Sequence, residues 1–206
     1  MEIEKVLKKE FEELISSGFI EEKISENLKE LLMIDIETMG IESDACILSI
    51  GAVFFNKDGL YNEFYEKIQL QSCLDLGLSV TASTIFWWMG QSKESKKELE
   101  NNEIQKHIKE VLNNFSFFIN SSISDLNLLG LSIWANGPQF DISILENAYR
   151  KAKLKIPWNY YQIRDFRTFR ETNELPENLP KNRVAHNSLE DAKWQAEYMI
   201  GVMNKK

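Results

Sequence analysis

Apolar and polar positions change period along this chain, and the changes predict strands first and helices afterwards. Residues 31–36 form an apolar run that closes on two acids, Asp35 and Glu37. A strand alternates its side chains, so this spacing puts both acids on one face. Gly40–Asp44 reads as a turn and Cys46–Asn56 as a second, well-buried strand. Lys57-Asp58-Gly59 is a hairpin signal, and Leu60–Leu70 alternates as a third strand. Three consecutive antiparallel strands therefore open the main domain.

Helical spacing takes over at Ser79. Ser79–Gln91 predicts a helix carrying Ile85, Trp87, Trp88 and Met89, followed by a charged helical turn over Ser92–Leu99. Asn101–Asn120 carries the stripe Ile104, Ile108, Val111, Leu112, Phe115, Phe118 and Ile119. His107 falls off that stripe and reads as a surface residue. Leu131–Ala135 is a fourth strand, Asn136-Gly137-Pro138 a tight turn, and Phe140–Lys151 a helix. A short strand over Gln162–Phe166, a helix from about Arg167, a loop over 173–185 and a last helix from Asn187-Ser188 to about Met203 complete the chain. Ahead of all this, Ile3, Val6, Leu7, Phe11, Leu14 and Ile15 recur at helical spacing until Ser16-Ser17-Gly18 breaks the pattern. Residues 1–30 are expected to be an N-terminal helical extension, a packed helical pair or a partner surface, and 31–206 the α/β domain.

Composition narrows the class. The 206 residues suffice for one full core, and 43% hydrophobic with 27% charged residues is a globular balance. No apolar run approaches the ~20 residues of a membrane span. The first residues are charged throughout and lack the apolar stretch of a signal peptide. Cys46 and Cys73 have no metal-ligand spacing and read as reduced thiols of a cytoplasmic protein. The net charge of −8 argues against strong non-specific duplex binding, but it is unevenly spread. Residues 31–149 carry 7 basic and 16 acidic side chains, whereas residues 150–206 carry 12 and 7. A polyanionic substrate is therefore not excluded.

Alone, the Asp35–Glu37 pair fits either a divalent-cation site or a solvated acidic turn. Two further features change the balance. Asp141 opens the helix after the fourth strand. His186 and Asp191 stand five apart in AHNSLED. That spacing works if His186 lies on the loop and Asp191 in the first two turns of the helix, with Asn187-Ser188 as its cap.

In order and spacing, DIET, NGPQFD and HNSLED resemble the DEDD superfamily of 3′–5′ exonucleases in its histidine (DEDDh) branch. STIFWW with QS, WANGPQFD, RDFRT and AHNSLED are similar to the phage-type group, which takes in T4 DexA-like and mycobacterial exoribonuclease-like enzymes. The likeness runs over roughly residues 31–203. It implies an RNase H-like fold, with three antiparallel and then parallel strands in a mixed sheet flanked by helices. It implies that Asp35, Glu37, Asp141 and Asp191 hold two Mg²⁺ or Mn²⁺ ions and that His186 is the general base. The chemistry suits these residues. Two cations about 3.5–4 Å apart activate a water and stabilise the leaving oxygen, four carboxylates offset their charge, and an imidazole takes the water proton near neutral pH.

The implied activity is metal-dependent hydrolysis from the 3′ end of single-stranded DNA or RNA, releasing nucleoside 5′-monophosphates. The alternative is a non-catalytic module that holds a 3′ end or a protein on the same fold, which the complete set of five residues disfavours. Substrate contacts are expected from Thr38, Met39, Trp88, Asn136, Arg164 and Arg167. Trp87 and Trp88 point about 100° apart on a helix, so at most one is fully in the core while the other faces the cleft. Asp165 either leaves Arg164 and Arg167 free for phosphate or ties one of them down. No membrane contact is expected, and the resemblance implies a homodimer.

Overall fold

Strand β1, Leu31–Thr38, runs through the middle of the molecule and sorts its side chains to two cores. Leu32, Ile34 and Ile36 enter the larger core, and Met33 enters the smaller one on the opposite face. Alternation carries Asp35 to the Met33 side. The computed structural model describes residues 30–100, 104–123, 130–176, 179 and 186–205. The expected N-terminal extension, Glu30 apart, and much of the 173–185 loop lie outside the described residues.

The elements follow as β2 (Ile47–Asn56), β3 (Gly59–Ile68), α1 (Leu70–Asp75), α2 (Ala82–Met89), a 3-10 turn (Ser95–Leu99) and β4 (Gln105–Lys106). After them come α3 (Ile108–Ser122), β5 (Ser132–Ala135), α4 (Asp141–Ala152), a second 3-10 turn (Tyr160–Gln162), β6 (Ile163–Asp165), α5 (Phe166–Glu171) and α6 (Ser188–Met203). The sheet order is β4-β3-β2-β1-β5-β6. Strands β1, β2 and β3 are antiparallel neighbours, whereas β5 lies parallel to β1 and β6 parallel to β5. This is the expected mixed sheet of an RNase H-like α/β fold.

Helices close both faces. On one, α3 and α4 bury Val111, Leu112, Phe115, Ile119, Leu145 and Tyr149 in the larger core. On the other, α6 buries Ala192, Ala196, Met199 and Val202 with Phe166 of α5. Each large apolar side chain so buried contributes about 1.5–3 kcal/mol. Helix α6 crosses the sheet unusually close, because β2 carries Gly51 beneath it. A Cβ at Gly51 would fall inside the Ser188–Leu189 backbone.

Two element expectations change. The stripe read as one helix from Asn101 begins at Ile108. Gln105 and Lys106 pair with β3, and Ile104 is exposed. His107 is the N-cap of α3, its Nδ1 accepting from the Lys109 N–H at 3.2 Å, because a capping acceptor satisfies a free helix donor. The third strand ends at Ile68, and its expected tail becomes α1.

Candidate active site

The acidic residues meet at the C-terminal ends of the parallel strands, where α4 and α6 begin. A bulge between Glu37 and Thr38 marks the spot, with Glu37 opposite Ser49 and Thr38 opposite Ile47. Bulges re-aim side chains and are common beside active sites. Glu37, Asp141 and Asp191 are buried. A cleft of about 270 Å³ is lined by Asp35, Glu37, Asn136, Asp141, His186 and Asp191, among others. All four expected carboxylates and the expected histidine thus share one cleft. Glu37, His186 and Asp191 each bring a ligand atom within 4.8 Å of the others.

Each side chain is held by its element. Asp141 starts α4 and accepts the Ile36 N–H on Oδ1 at 3.3 Å. Asp191 accepts the His186 N–H on Oδ2 at 2.9 Å. His186 has a φ of +63°, a left-handed conformation just before the α6 cap. Its ring lies edge-on to Trp87 at 4.8 Å. Asp35 Oδ1 accepts from Gln195 Nε2 at 2.8 Å.

Burial and mutual repulsion set the electrostatics. Burial, then the charges of Asp141, Glu37 and Asp191, push the Asp35 carboxyl well above its ordinary range. Burial, then Asp191, Glu98 and Asp141, push Glu37 up to about 9. Burial pushes Asp141 up to about 7, against the pull of the Ile36 N–H and Arg167. Such a cluster of hard oxygen donors is short of positive charge, which is the condition a divalent cation relieves.

The substrate-contact expectations divide. Thr38 lines a second, apolar cleft of about 430 Å³ with Gly40, Ile41, Ser83, Thr84 and Trp87. Ile36, Glu37 and Phe140 line both clefts, so the two lie side by side. Asn136 lines the acidic cleft, and its buried Oδ1 has no hydrogen-bond partner among the described residues. Arg167 lies over the turn, donating to the Asn136 carbonyl at 3.2 Å. Gly137 at φ +100° makes room, since a Cβ there would stand 2.9 Å from the guanidinium. Arg164 is exposed and lines neither cleft, its guanidinium turned back to the Tyr161 and Ile163 carbonyls at 2.6 and 2.9 Å. Asp165 caps α5 through the Arg167 N–H and the Thr168 hydroxyl.

Two of these expectations are corrected. Trp88 is 1% exposed, and its indole N–H donates to the Thr38 carbonyl at 2.9 Å. The one polar atom of its ring is satisfied internally, so Trp88 is core, and Trp87, 45% exposed, is the cleft residue. Met39 is buried with Ile36 in the larger core and faces a different cavity, beside Leu48 and Ile68. Strand β1 ends at Thr38, so its alternation does not extend to Met39, which leaves the face that Asp35 and Glu37 share.

A model of the 3′–5′ exoribonuclease Rv2179c-like domain matches residues 30–203. The chain belongs to this family. The curated exodeoxyribonuclease of Enterobacteria phage T4 is 26% identical over 209 residues, covering 82% of this chain and 90% of that protein. Among solved structures, the nuclease domain of 3′hExo, a DEDDh family member bound to rAMP, superposes with a TM-score of 0.57 at 14% identity. That match covers 87% of this chain and 94% of the other. Zinc-bound E. coli exonuclease I with single-stranded DNA gives a TM-score of 0.55 at 14% identity, over 87% of this chain but 41% of that one. At such identities the structural likeness speaks for the fold. The Rv2179c-like match thus makes this chain a member of a 3′–5′ exoribonuclease family.

Three cleft residues of the Rv2179c-like domain escaped sequence reasoning. Gln195 is 3% exposed and sits one helical turn after Asp191, so i, i+4 spacing was its available signal. Arg170 lines the acidic cleft three residues after Arg167. Phe140 lines both clefts and carried no signal beyond its place before Asp141.

Proposed function

We propose that this chain removes nucleoside 5′-monophosphates one at a time from the 3′ end of a single-stranded nucleic acid, using two Mg²⁺ or Mn²⁺ ions. The observation that carries the reading is the convergence of Asp35, Glu37, Asp141 and Asp191, from β1, α4 and α6, on one cleft with His186. The residues fit such ions. They offer hard oxygen donors in a cluster where burial raises three of the carboxyls, with mutual repulsion adding to it at Asp35 and Glu37. When bound, a pair of divalent cations supplies an activated water and charge stabilisation at the leaving oxygen.

The chain's own residues would do the rest. Asp35, Glu37, Asp141 and Asp191 hold the cations, and Gln195 orients the Asp35 carboxylate. His186, at the cleft wall, takes the proton from the attacking water at a ring nitrogen. The apolar cleft receives the terminal nucleoside, with its base stacked on the half-exposed ring of Trp87. Thr38 forms the wall beside the scissile end, and the Asn136 side chain and the Arg170 guanidinium face the strand that follows, with Arg167 over the adjoining turn.

The test is an assay of purified protein with Mn²⁺ or Mg²⁺ on 3′-labelled and 5′-labelled single-stranded DNA and RNA. A 3′ label should leave as a mononucleotide from the first turnover, and a 5′ label should pass down a ladder of shortening products. EDTA should stop both. Cleavage from the 5′ end, or cation binding without cleavage of either polymer, would overturn the reading.

A further inference from the structure

Glu98 is a buried carboxylate that this chemistry leaves unused. It lies in the 3-10 turn Ser95–Leu99 and is 4% exposed. The groups that touch it are donors from three other elements. The Ser49 hydroxyl of β2 donates to Oε1. The Tyr65 hydroxyl of β3 and the Asn187 Nδ2 at the start of α6 donate to Oε2 at 2.9 and 3.2 Å. Lys67, itself buried, holds the turn in place by donating to the Lys97 and Glu100 carbonyls at 2.8 and 3.2 Å.

Asn187 is the link to the cleft. Its Oδ1 caps α6 by accepting the Glu190 N–H at 3.1 Å, while its Nδ2 reaches Glu98 and Tyr65. The next residue, Ser188, pairs with Ser49 hydroxyl to hydroxyl at 2.8 Å. The preceding residue is His186, whose left-handed backbone persists only where its surroundings over-determine it. Its ring meets Trp87 at 4.8 Å. We propose that Glu98 is a positioning residue. Through Asn187 it fixes the start of α6 and so holds the His186 imidazole against Trp87 at the cleft wall. The consequence for turnover rests on the exonuclease reading; the consequence for the ring does not.

Two substitutions separate this role from packing. Glu98→Gln keeps the shape but turns an NH₂ toward a donor. Asn187→Ser keeps a capping oxygen and removes only what Nδ2 reaches, Glu98 and the Tyr65 hydroxyl that itself donates to Glu98. Turnover is read with Mn²⁺ on a labelled oligonucleotide, and the ring position by the imidazole proton resonances. The chain has two histidines, so His107→Gln assigns both signals. Each variant should lower kcat about tenfold or more with KM within about twofold, the scale of losses behind a metal site. Each should move the His186 resonance away from its ring-current-shifted position and leave His107 in place. The double variant should fall no further than the worse single one, because both act through one link.

Multiplying effects in the double variant, or a His186 resonance unmoved in Asn187→Ser, would overturn the proposal. Should Glu98→Gln fail to fold, Asn187→Ser decides alone. Should the wild-type protein cut neither polymer, the exonuclease reading falls, and the resonances still decide the role of Glu98.

Discussion

The four-carboxylate cleft should make the metal-free protein less stable than its own disabled variant. Asp141 tests this most cleanly. Its carboxyl is pushed from 3.8 to about 7 in the folded chain, chiefly by burial. A group whose proton affinity rises on folding contributes stability in full below its unfolded value and loses it as pH climbs through the folded value. For Asp141 that loss spans about pH 4 to 7, and for Glu37, pushed from 4.5 to about 9, it extends further. At about 1.4 kcal/mol per tenfold in proton affinity, the Asp141 change is worth up to about 4 kcal/mol by pH 8. The carboxylates share their repulsion, so these figures do not add.

Asp141→Asn removes the charge and keeps the oxygen that accepts from Ile36 N–H. In EDTA at pH 8 the variant should gain about 2–4 kcal/mol, seen as a melting temperature higher by about 5–10 °C in a chain of this size. At pH 4 the gain should vanish, because the wild-type acid is already protonated. Saturating Mn²⁺ should reverse the order, since the wild type gains binding free energy that the variant loses. Circular-dichroism melts from pH 4 to 9, with EDTA and with Mn²⁺, read all of this. A variant that melts at or below the wild type at pH 8 in EDTA would refute the reasoning, as would a gap that does not grow with pH.

The remaining predictions concern what shapes the cleft. Trp87→Ala should raise KM for oligonucleotides by about 5- to 100-fold through lost stacking and leave the melting temperature nearly unchanged; Trp88→Ala should instead destabilise by about 3–5 kcal/mol, as a cavity in the core does. An unaltered KM in the first, or an unaltered denaturation midpoint in the second, would reverse the assignment of the two rings. Gly51→Ala should displace the start of α6, lowering the denaturation midpoint and turnover together; a wild-type midpoint would show that the helix does not lie on β2 as described. Gln195→Leu should weaken Mn²⁺ binding, measured by calorimetry, by about tenfold or more, because Asp35 loses its orienting donor. Unchanged affinity would remove Gln195 from the site.

Period alone placed much of this cleft and failed at identifiable points. Strand alternation put Asp35 and Glu37 on one face, and the cap signal at Asn187-Ser188 put His186 before α6 and Asp191 within it, where they stand in the folded chain. The family resemblance carried Met39 to the cleft, and there it failed. Strand β1 stops at Thr38, where Leu48 is an extra residue in β2 opposite the Glu37–Thr38 step, and nothing in LLMIDIETMG or CILSIG announces it. Helical spacing separated Trp87 from Trp88 by about 100° but could not say which faced inward. That depended on whether the Thr38 carbonyl stood within reach of an indole N–H, a contact across 50 residues of chain.

Glu98 marks the deeper limit. In SKESKKELE it looks like one of three acids in a solvated run of mixed charge, and its charge is right for water. What buries it is assembly. The Lys67 ammonium fastens the turn to β3, and α6 comes down onto the bare backbone of Gly51. Those events bring Ser49, Tyr65 and Asn187 together from positions up to 138 residues apart. A buried acid of this kind is stable only because several donors arrive at once, and no short stretch of sequence encodes their meeting. The acids that bear the proposed chemistry could be read early, because each stands at a strand end or a helix start. The acid that organises their neighbours could be found only in the folded chain, because its partners belong to elements that are not adjacent in sequence.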